Sequence, residues 1–315
     1  MDQKRLLRLA ICICAVFLFL QSGVLNLFAA ALTQEEVLSV FLFLETGRIF
    51  HSPTPAPLET PTETQPATAP SLPSATPVFS ADMVVDVQYN CDYRPDLELL
   101  LTKPLDWSLR SDAPSVLIVH THATEGYAGT EGYRSLEESE NMVAIGTEIA
   151  RVLNAGGISV IHDKTYHDHP DYDGSYGAAR STIRSYLQQY PSIQMVLDIH
   201  RDATDSPDGQ LITAATVGGQ KSAQLMMVVG TDARGNYHPD WQENLSLALK
   251  LSALLEQENP GISRPINLRS ERFNMDLTPG SLLVEVGAAG DTLEEALVAA
   301  RAFALCIVEL SQGTH

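Results

Sequence analysis

The stretch that decides the fold runs from Ser115 to Tyr127 and reads SVLIVHTHATEGY. Ser115 to Val119 form a short apolar, β-branched run, which suits a buried strand and is too short for a helix. It stops abruptly in His120, Thr121, His122, Ala123, Thr124 and Glu125, followed by a glycine. Open α/β sheets bind their ligands at the carboxyl ends of such strands. Two further stretches end in the same way: MVLDIHRDA places His200 after Met195 to Ile199, and SLLVEVGAAG places Glu285 after Leu282 to Val284. The pattern predicts an α/β fold, a single three-layer domain around a mixed, mostly parallel central sheet. Imidazole and carboxylate groups then gather at the tips of three strands.

Neutral imidazole nitrogen and carboxylate oxygen suit zinc, and three protein ligands plus a water leave the open position that hydrolysis needs. His120 and His122 have the same parity on an extended strand, so either or both fit a ligand role. The carboxylate Glu125 and the pair Arg201-Asp202, directly after His200, are candidates for orienting a ligand or contacting substrate. The polar loop YHDHPDYDGSYGAAR at 166–180 also carries histidines and aspartates, but its Pro, Gly and Asx content reads as a surface loop. No GxSxG, HExxH or glycine-rich kinase loop occurs, so serine-hydrolase and zincin routes lack motif support.

Helical spacing of Met142, Ile145, Ile149 and Leu153 predicts a helix over 136–154, ended by Gly156-Gly157 and opened by Glu137, Glu138 and Glu140. A second strand is expected at 158–161, a helix over 175–190 stopped at Pro191, and a third strand at 193–199. Residues 211–217 and 223–229 read as adjacent buried strands joined by Gly218-Gly219. A helix at 244–256 and a short strand at 265–269 precede the strand that ends in Glu285.

The stretches VLIVHTHATEGY (116–127), YRSLEESENMVAIGTEIARVLNAGGISVIHDKTYHDHPDYDGSYGAAR (133–180), DIHRDA (198–203) and LLVEVGAAGDTLEEA (282–296) together resemble the stage II sporulation protein P family. The carboxyl-terminal half is similar to zinc-dependent N-acetylmuramoyl-L-alanine amidases. The resemblance implies hydrolysis of peptidoglycan at the bond between N-acetylmuramic acid and L-alanine, with an added endopeptidase activity on peptide cross-links. It implies zinc held by His122, Glu137 and His200, with Glu138 the alternative to Glu137, and Glu285 as catalytic acid and base. His120, Glu125, Arg201 and Asp202 would stand around the metal or the substrate. Other engulfment-complex proteins are the implied partners. The rival readings are a metal-free wall-binding member of a membrane complex and an exported zinc peptidase of other specificity.

The amino-terminal third is of a different kind. Lys4, Arg5 and Arg8 precede an uncharged apolar stretch from Leu9 to Leu32, long enough to cross a bilayer. The positive flank orients the amino end to the cytoplasm. Small residues at 29–31 also fit a cleaved signal, and the resemblance favours the retained anchor. Residues 51–80 hold eight prolines among Thr, Ser and Ala and read as an extended spacer. The expected organisation is an anchor at 1–32, a membrane-proximal helix and linker at 33–80, and a catalytic domain at 81–315. The implied location is a single-pass protein of the outer forespore or mother-cell membrane, with its catalytic domain outside the cytoplasm. A formal net charge of −19 argues against nucleic acid, whose phosphates need a basic surface. Four cysteines, two of them in the expected anchor, give no disulfide framework.

Overall fold

In the computed structural model, which describes residues 77–204 and 209–313, the apolar runs assemble into a seven-stranded sheet. Its strands are β1 (Val87–Asn90), β2 (Val116–Val119), β3 (Val160–His162), β4 (Met195–Asp202), β7 (Leu225–Gly230), β8 (Ile266–Arg269) and β9 (Gly280–Ala288). Two short strands, β5 (Ala215–Val217) and β6 (Gln220–Ser222), form a separate hairpin. The sheet order is β1-β8-β7-β9-β4-β2-β3, parallel throughout except between β7 and β9. The helices are α1 (Leu97–Thr102), α2 (Met142–Ala155), α3 (Ser175–Gln189), α4 (Trp241–Glu258) and α5 (Leu293–Leu310).

The β2 run is apolar without interruption because both faces of the strand are covered. Val116 and Ile118 join the main core, with Met142 and Ile145 of α2, Leu249 of α4 and Phe303 of α5. Leu117 and Val119 turn to the opposite face and pack with Ile183 of α3. Helices on both faces of a mixed, mostly parallel sheet make the three layers that the strand pattern predicts.

The structure differs from expectation in three places. Helix α2 begins at Met142 instead of residue 136, because Asn141 caps it: its side chain accepts from Val143 N–H at 2.9 Å and donates to the Ser135 carbonyl at 3.0 Å. An Asn cap is worth about 1 kcal/mol over an apolar residue. Glu137, Glu138 and Glu140 are thereby left in a turn before the helix, with no place in its first turn. In the 211–229 region only β7 enters the sheet. Gly218 and Gly219, at φ of 55° and 81°, fold the preceding residues into the small hairpin. Lastly, β4 and β9 pair on past Ile199 and Val284, so His200 and Glu285 lie within strands instead of beyond them.

The expected anchor and nearly all of the expected linker fall outside the described residues. Among the described residues no helix is long and apolar enough to cross a membrane.

Candidate active site

Side-chain parity places the chemistry on one face of the sheet. On β4, Met195, Leu197 and Ile199 enter the main core, so Asp198 and His200 project to the face that also carries Val196 and α3. On β9, Val284 and Val286 take the core side, which sends Glu285 to the same face as His200. The two strands hold His200 and Glu285 directly opposite each other, and the register then slips by one residue before Asp202. Gly287 takes a φ of 71° at that slip, a conformation that favours glycine.

The two histidines after β2 part company. His120 keeps the parity of Val116 and Ile118 and is fully buried under α2. A Cβ added to Gly146 of α2 would stand 2.7 Å from its Nε2, so glycine is what lets the helix close over it. Its Nδ1 lies 3.1 Å from the Ile199 carbonyl, which can only accept, so Nδ1 carries the proton. Its Nε2 therefore accepts from His162 Nε2–H at 2.8 Å. Burial, with His162 adding, lowers the His120 pKa to about 3, and burial with Lys164 lowers His162 to about 4. The two rings thus satisfy each other in the neutral form, His120 inside the core and His162 half-buried at its edge.

His122 lies past the strand end and meets His200, with ring centroids 5.3 Å apart and planes at 87°. Tyr172 stacks on it at 4.5 Å, and Tyr176 presents an edge at 5.5 Å. Glu125 completes the group. Its Oε2 stands 3.5 Å from His200 Nδ1, while His200 Nε2 is 3.0 Å from Asp198 Oδ1. Asp198 is in turn fixed by the backbone N–H and hydroxyl of Thr121, at 2.8 and 2.5 Å. His122 Nδ1, His200 Nε2 and Glu285 Oε2 are buried with no well-aligned hydrogen-bond partner among the described residues.

Burial and charge pull these groups in opposite directions. Burial works against a charged His200, yet the Asp198 and Glu125 carboxylates outweigh it and raise its pKa well above the ordinary value. Burial likewise opposes the Asp198 charge, but His200 and Thr121 bring it down to about 2. Glu125 is lowered because His200, Arg201 and His122 together overcome its burial. Glu285 behaves oppositely. Burial pushes it up to about 8, with Glu125 and Asp202 adding and His200 opposing.

Arg201 is buried and clamps the loop that follows β2. Its Nε and Nη2 donate to the Gly126 and Tyr133 carbonyls, both at 2.9 Å, and its backbone N–H reaches Glu125 Oε2 at 3.3 Å. Asp202 instead accepts from Arg264 at 2.7 Å. The structure does not bring Glu137 to the histidines. It is exposed, its backbone N–H on Ser135 Oγ, while Glu138 pairs with Lys164. Glu125 and Asp198 are the carboxylates that act on both His122 and His200, and Asp198 is already bound to Thr121. The sequence reading also passed over Asp198. Its signal was available, since two residues before His200 on a strand is the same face.

Among the described residues no group of three or more His, Cys, Asp or Glu side chains is arranged to hold a metal ion. A cavity of about 430 Å³ opens beside His122, lined by Thr124, Arg134, Leu136, Asp168 and Tyr172 among others. Within the 166–180 loop, His167 donates from Nδ1 to the His120 carbonyl and Asp168 accepts from Thr124 and Arg134, so these side chains brace the site.

Comparison with known proteins adds the following. Stage II sporulation protein P of Bacillus subtilis (strain 168) is 29% identical over 209 residues, which are 61% of this chain and 50% of that protein. The chain thus spans about half the length of the curated relative it matches. Among solved structures, the N-acetylmuramoyl-L-alanine amidase AmiC2 of Nostoc punctiforme overlaps at a TM-score of 0.39 with 17% identity, over 62% of this chain and 94% of that one. The CwlD amidase of Clostridioides difficile, solved with the GerS lipoprotein, overlaps at 0.38 with 12% identity, over 63% and 95%. The sequence profile of stage II sporulation protein P matches residues 59–308, most of the chain, and the chain belongs to that family.

Proposed function

We propose that the chain hydrolyses an amide bond of peptidoglycan, the one between N-acetylmuramic acid and L-alanine, with zinc held by His122, Glu125 and His200. The observation that carries this reading is the His200 Nδ1 to Glu125 Oε2 separation of 3.5 Å. Two ligands about 2.1 Å from one tetrahedral zinc stand about 3.4 Å apart. His122 Nδ1, buried without a hydrogen bond and 4.0 Å from Asp168 Oδ2, is a third donor of the right kind on a ring 5.3 Å from that of His200, although the three are not drawn in to metal distance among the described residues. Asp198 at His200 Nε2 is the carboxylate partner that ligating histidines ordinarily have. Glu125 replaces Glu137 in this set.

Zinc bound there would polarise the amide carbonyl and lower the pKa of its water toward 7. Glu285, opposite His200 and with a free Oε2, takes a proton from the attacking water and delivers it to the leaving nitrogen as the C–N bond breaks. Burial, which raises its pKa to about 8, suits a group that must both accept and return a proton near neutrality. Arg201 holds Glu125 and its loop in place, and Tyr172 packs the His122 ring.

Family membership supports the wall substrate and the sporulation setting. A membrane anchor at 1–32, an extracytoplasmic catalytic domain, engulfment-complex partners and endopeptidase activity on cross-links belong to the same proposal. The test combines elemental analysis of the purified full-length chain with mass spectrometry of its muropeptide products. About one zinc per chain and free lactyl carboxyl ends are expected. An active preparation without metal, or cleavage only between amino acids, overturns the reading.

A further inference from the structure

The cavity beside His122 contains a cation that the hydrolytic chemistry does not use. Arg134 lines it with its side chain about 40% exposed, in a chain of net charge −19. Its Nη1 is committed to Thr124 Oγ1 at 2.7 Å and Asp168 Oδ2 at 3.1 Å. Nε and Nη2 have no hydrogen-bond partner among the described residues, which leaves one edge of the guanidinium fork open. The guanidinium lies 4.8 Å from the centre of the Tyr172 ring, and that ring stacks 4.5 Å from His122. Leu136 and Tyr172 form the apolar walls and are 56% and 48% exposed.

We infer that this cavity is a specificity subsite whose Arg134 fork receives a carboxylate of the substrate's peptide, two residues along from the bond that is cut. The inference rests on the amidase reading and deepens it. A free guanidinium edge matches a planar carboxylate through two parallel hydrogen bonds, a fit that an amide cannot copy because its NH₂ offers no acceptor. Asp168 fixes the guanidinium without blocking that edge. An extended peptide advances about 3.5 Å per residue, so the second residue's α-carboxylate lies about 7 Å from the scissile nitrogen. Arg134 and His122 both lie against the Tyr172 ring, at 4.8 and 4.5 Å from its centre, so the guanidinium stands no more than about 9 Å from the His122 ring, within reach of such a carboxylate. In peptidoglycan the second stem residue is acidic, and its α-carboxylate is either free or amidated. The subsite therefore selects the free-carboxylate stem over the amidated one.

The test measures binding and cleavage separately, on the full-length chain in non-ionic detergent. The probes are two stem tripeptides that differ only in a free or an amidated second-residue carboxylate, and the two muropeptides that carry them. Calorimetry with wild type should show the free-carboxylate tripeptide binding about tenfold more tightly, as expected for a charge-assisted pair. Arg134→Met should bring that ratio close to one. A merely structural role for Arg134 would weaken both peptides alike and keep the ratio, which overturns the inference, as does a wild type that does not discriminate. Arg134→Lys preserves the charge and serves if Arg134→Met does not fold. Its ratio should fall below that of wild type, because an ammonium is a point charge without the fork, and an undiminished ratio overturns the inference. Cleavage of both muropeptides without discrimination in binding removes the subsite and leaves the hydrolase. Discrimination in binding with no cleavage of either upholds the subsite and removes the hydrolase.

Discussion

His200 and Glu285 face each other across adjacent parallel strands, as paired residues of β4 and β9. The backbone of two buried strands fixes their separation, and the proposed division of labour, a metal ligand at His200 and a proton carrier at Glu285, rests on that pairing. Glu285→Gln keeps shape and volume but removes the basic oxygen. A general acid-base group contributes a factor of about 10² to 10⁴. We expect kcat on wall fragments to fall by that order while zinc content stays within error of wild type. Loss of zinc in this variant would transfer Glu285 to the ligand set.

Glu125 and Glu137 are separated by the same kind of experiment. Glu125→Gln replaces a charged oxygen that stands 3.5 Å from His200 Nδ1, and an amide is a much poorer zinc ligand. Zinc affinity should drop at least about tenfold, measured by competition with a chelating dye. Glu137→Gln alters an exposed turn and should leave both zinc affinity and activity within about twofold. The reverse result would restore the ligand set expected from the sequence.

The contrast between these two glutamates shows what was legible in the chain. The unbroken apolar run of β2 gave the buried sheet, and the polar residues that follow it gave the site's location. Strand parity was enough to pair Asp198 with His200, and it would have sent His120 under the helix had the strand's end been known. Which glutamate the fold carries to His200 was beyond reach. It depends on α2 starting at Asn141 and on Arg201 pinning the Gly126 carbonyl from 75 positions away. Neither local propensity nor spacing encodes such a contact. The hairpin at 215–222 was hidden for a similar reason, since only tertiary pairing decides which of two short apolar runs enters a sheet.

Gly146→Ala tests the packing of α2 over the histidine pair. On propensity alone, Ala in a helix interior gains about 1 kcal/mol over Gly. Here the new methyl would lie 2.5 Å from His162 Nε2 and 2.7 Å from His120 Nε2. Both rings are fixed by hydrogen bonds and cannot give way cheaply. Overpacking costs about 1 to 3 kcal/mol, so the clash wins. Urea unfolding should show a net loss of about 1 kcal/mol or more, and a gain in stability would mean that the rings have room to move.

The His120–His162 pair also sets a pH dependence. Their folded pKa values, about 3 and about 4, lie below the ordinary 6.5, so between those values the unfolded chain binds more protons than the folded one. Stability is then fully present above pH 6.5 and is lost as pH falls toward 4, with a limiting slope of about 1.4 kcal/mol per pH unit for each histidine. His122 and His238, also lowered by burial, act in the same direction. Glu285 opposes them, since its raised value makes the folded state the better proton binder between about 4.5 and 8. His200, raised by its carboxylates, favours the folded state below 6.5 and loses that contribution only at higher pH. The buried carboxylates Asp198 and Glu125 titrate lower still and enter below about pH 4.5. The window from 6.5 to 4.5 therefore reports mainly on the depressed histidines. His162→Gln keeps an N–H donor for His120 Nε2 but removes one titrating ring. Urea unfolding at half-unit intervals should show the wild-type stability falling across this window, with a shallower fall in His162→Gln. Equal slopes for the two proteins would mean that His162 is not held neutral in the folded chain.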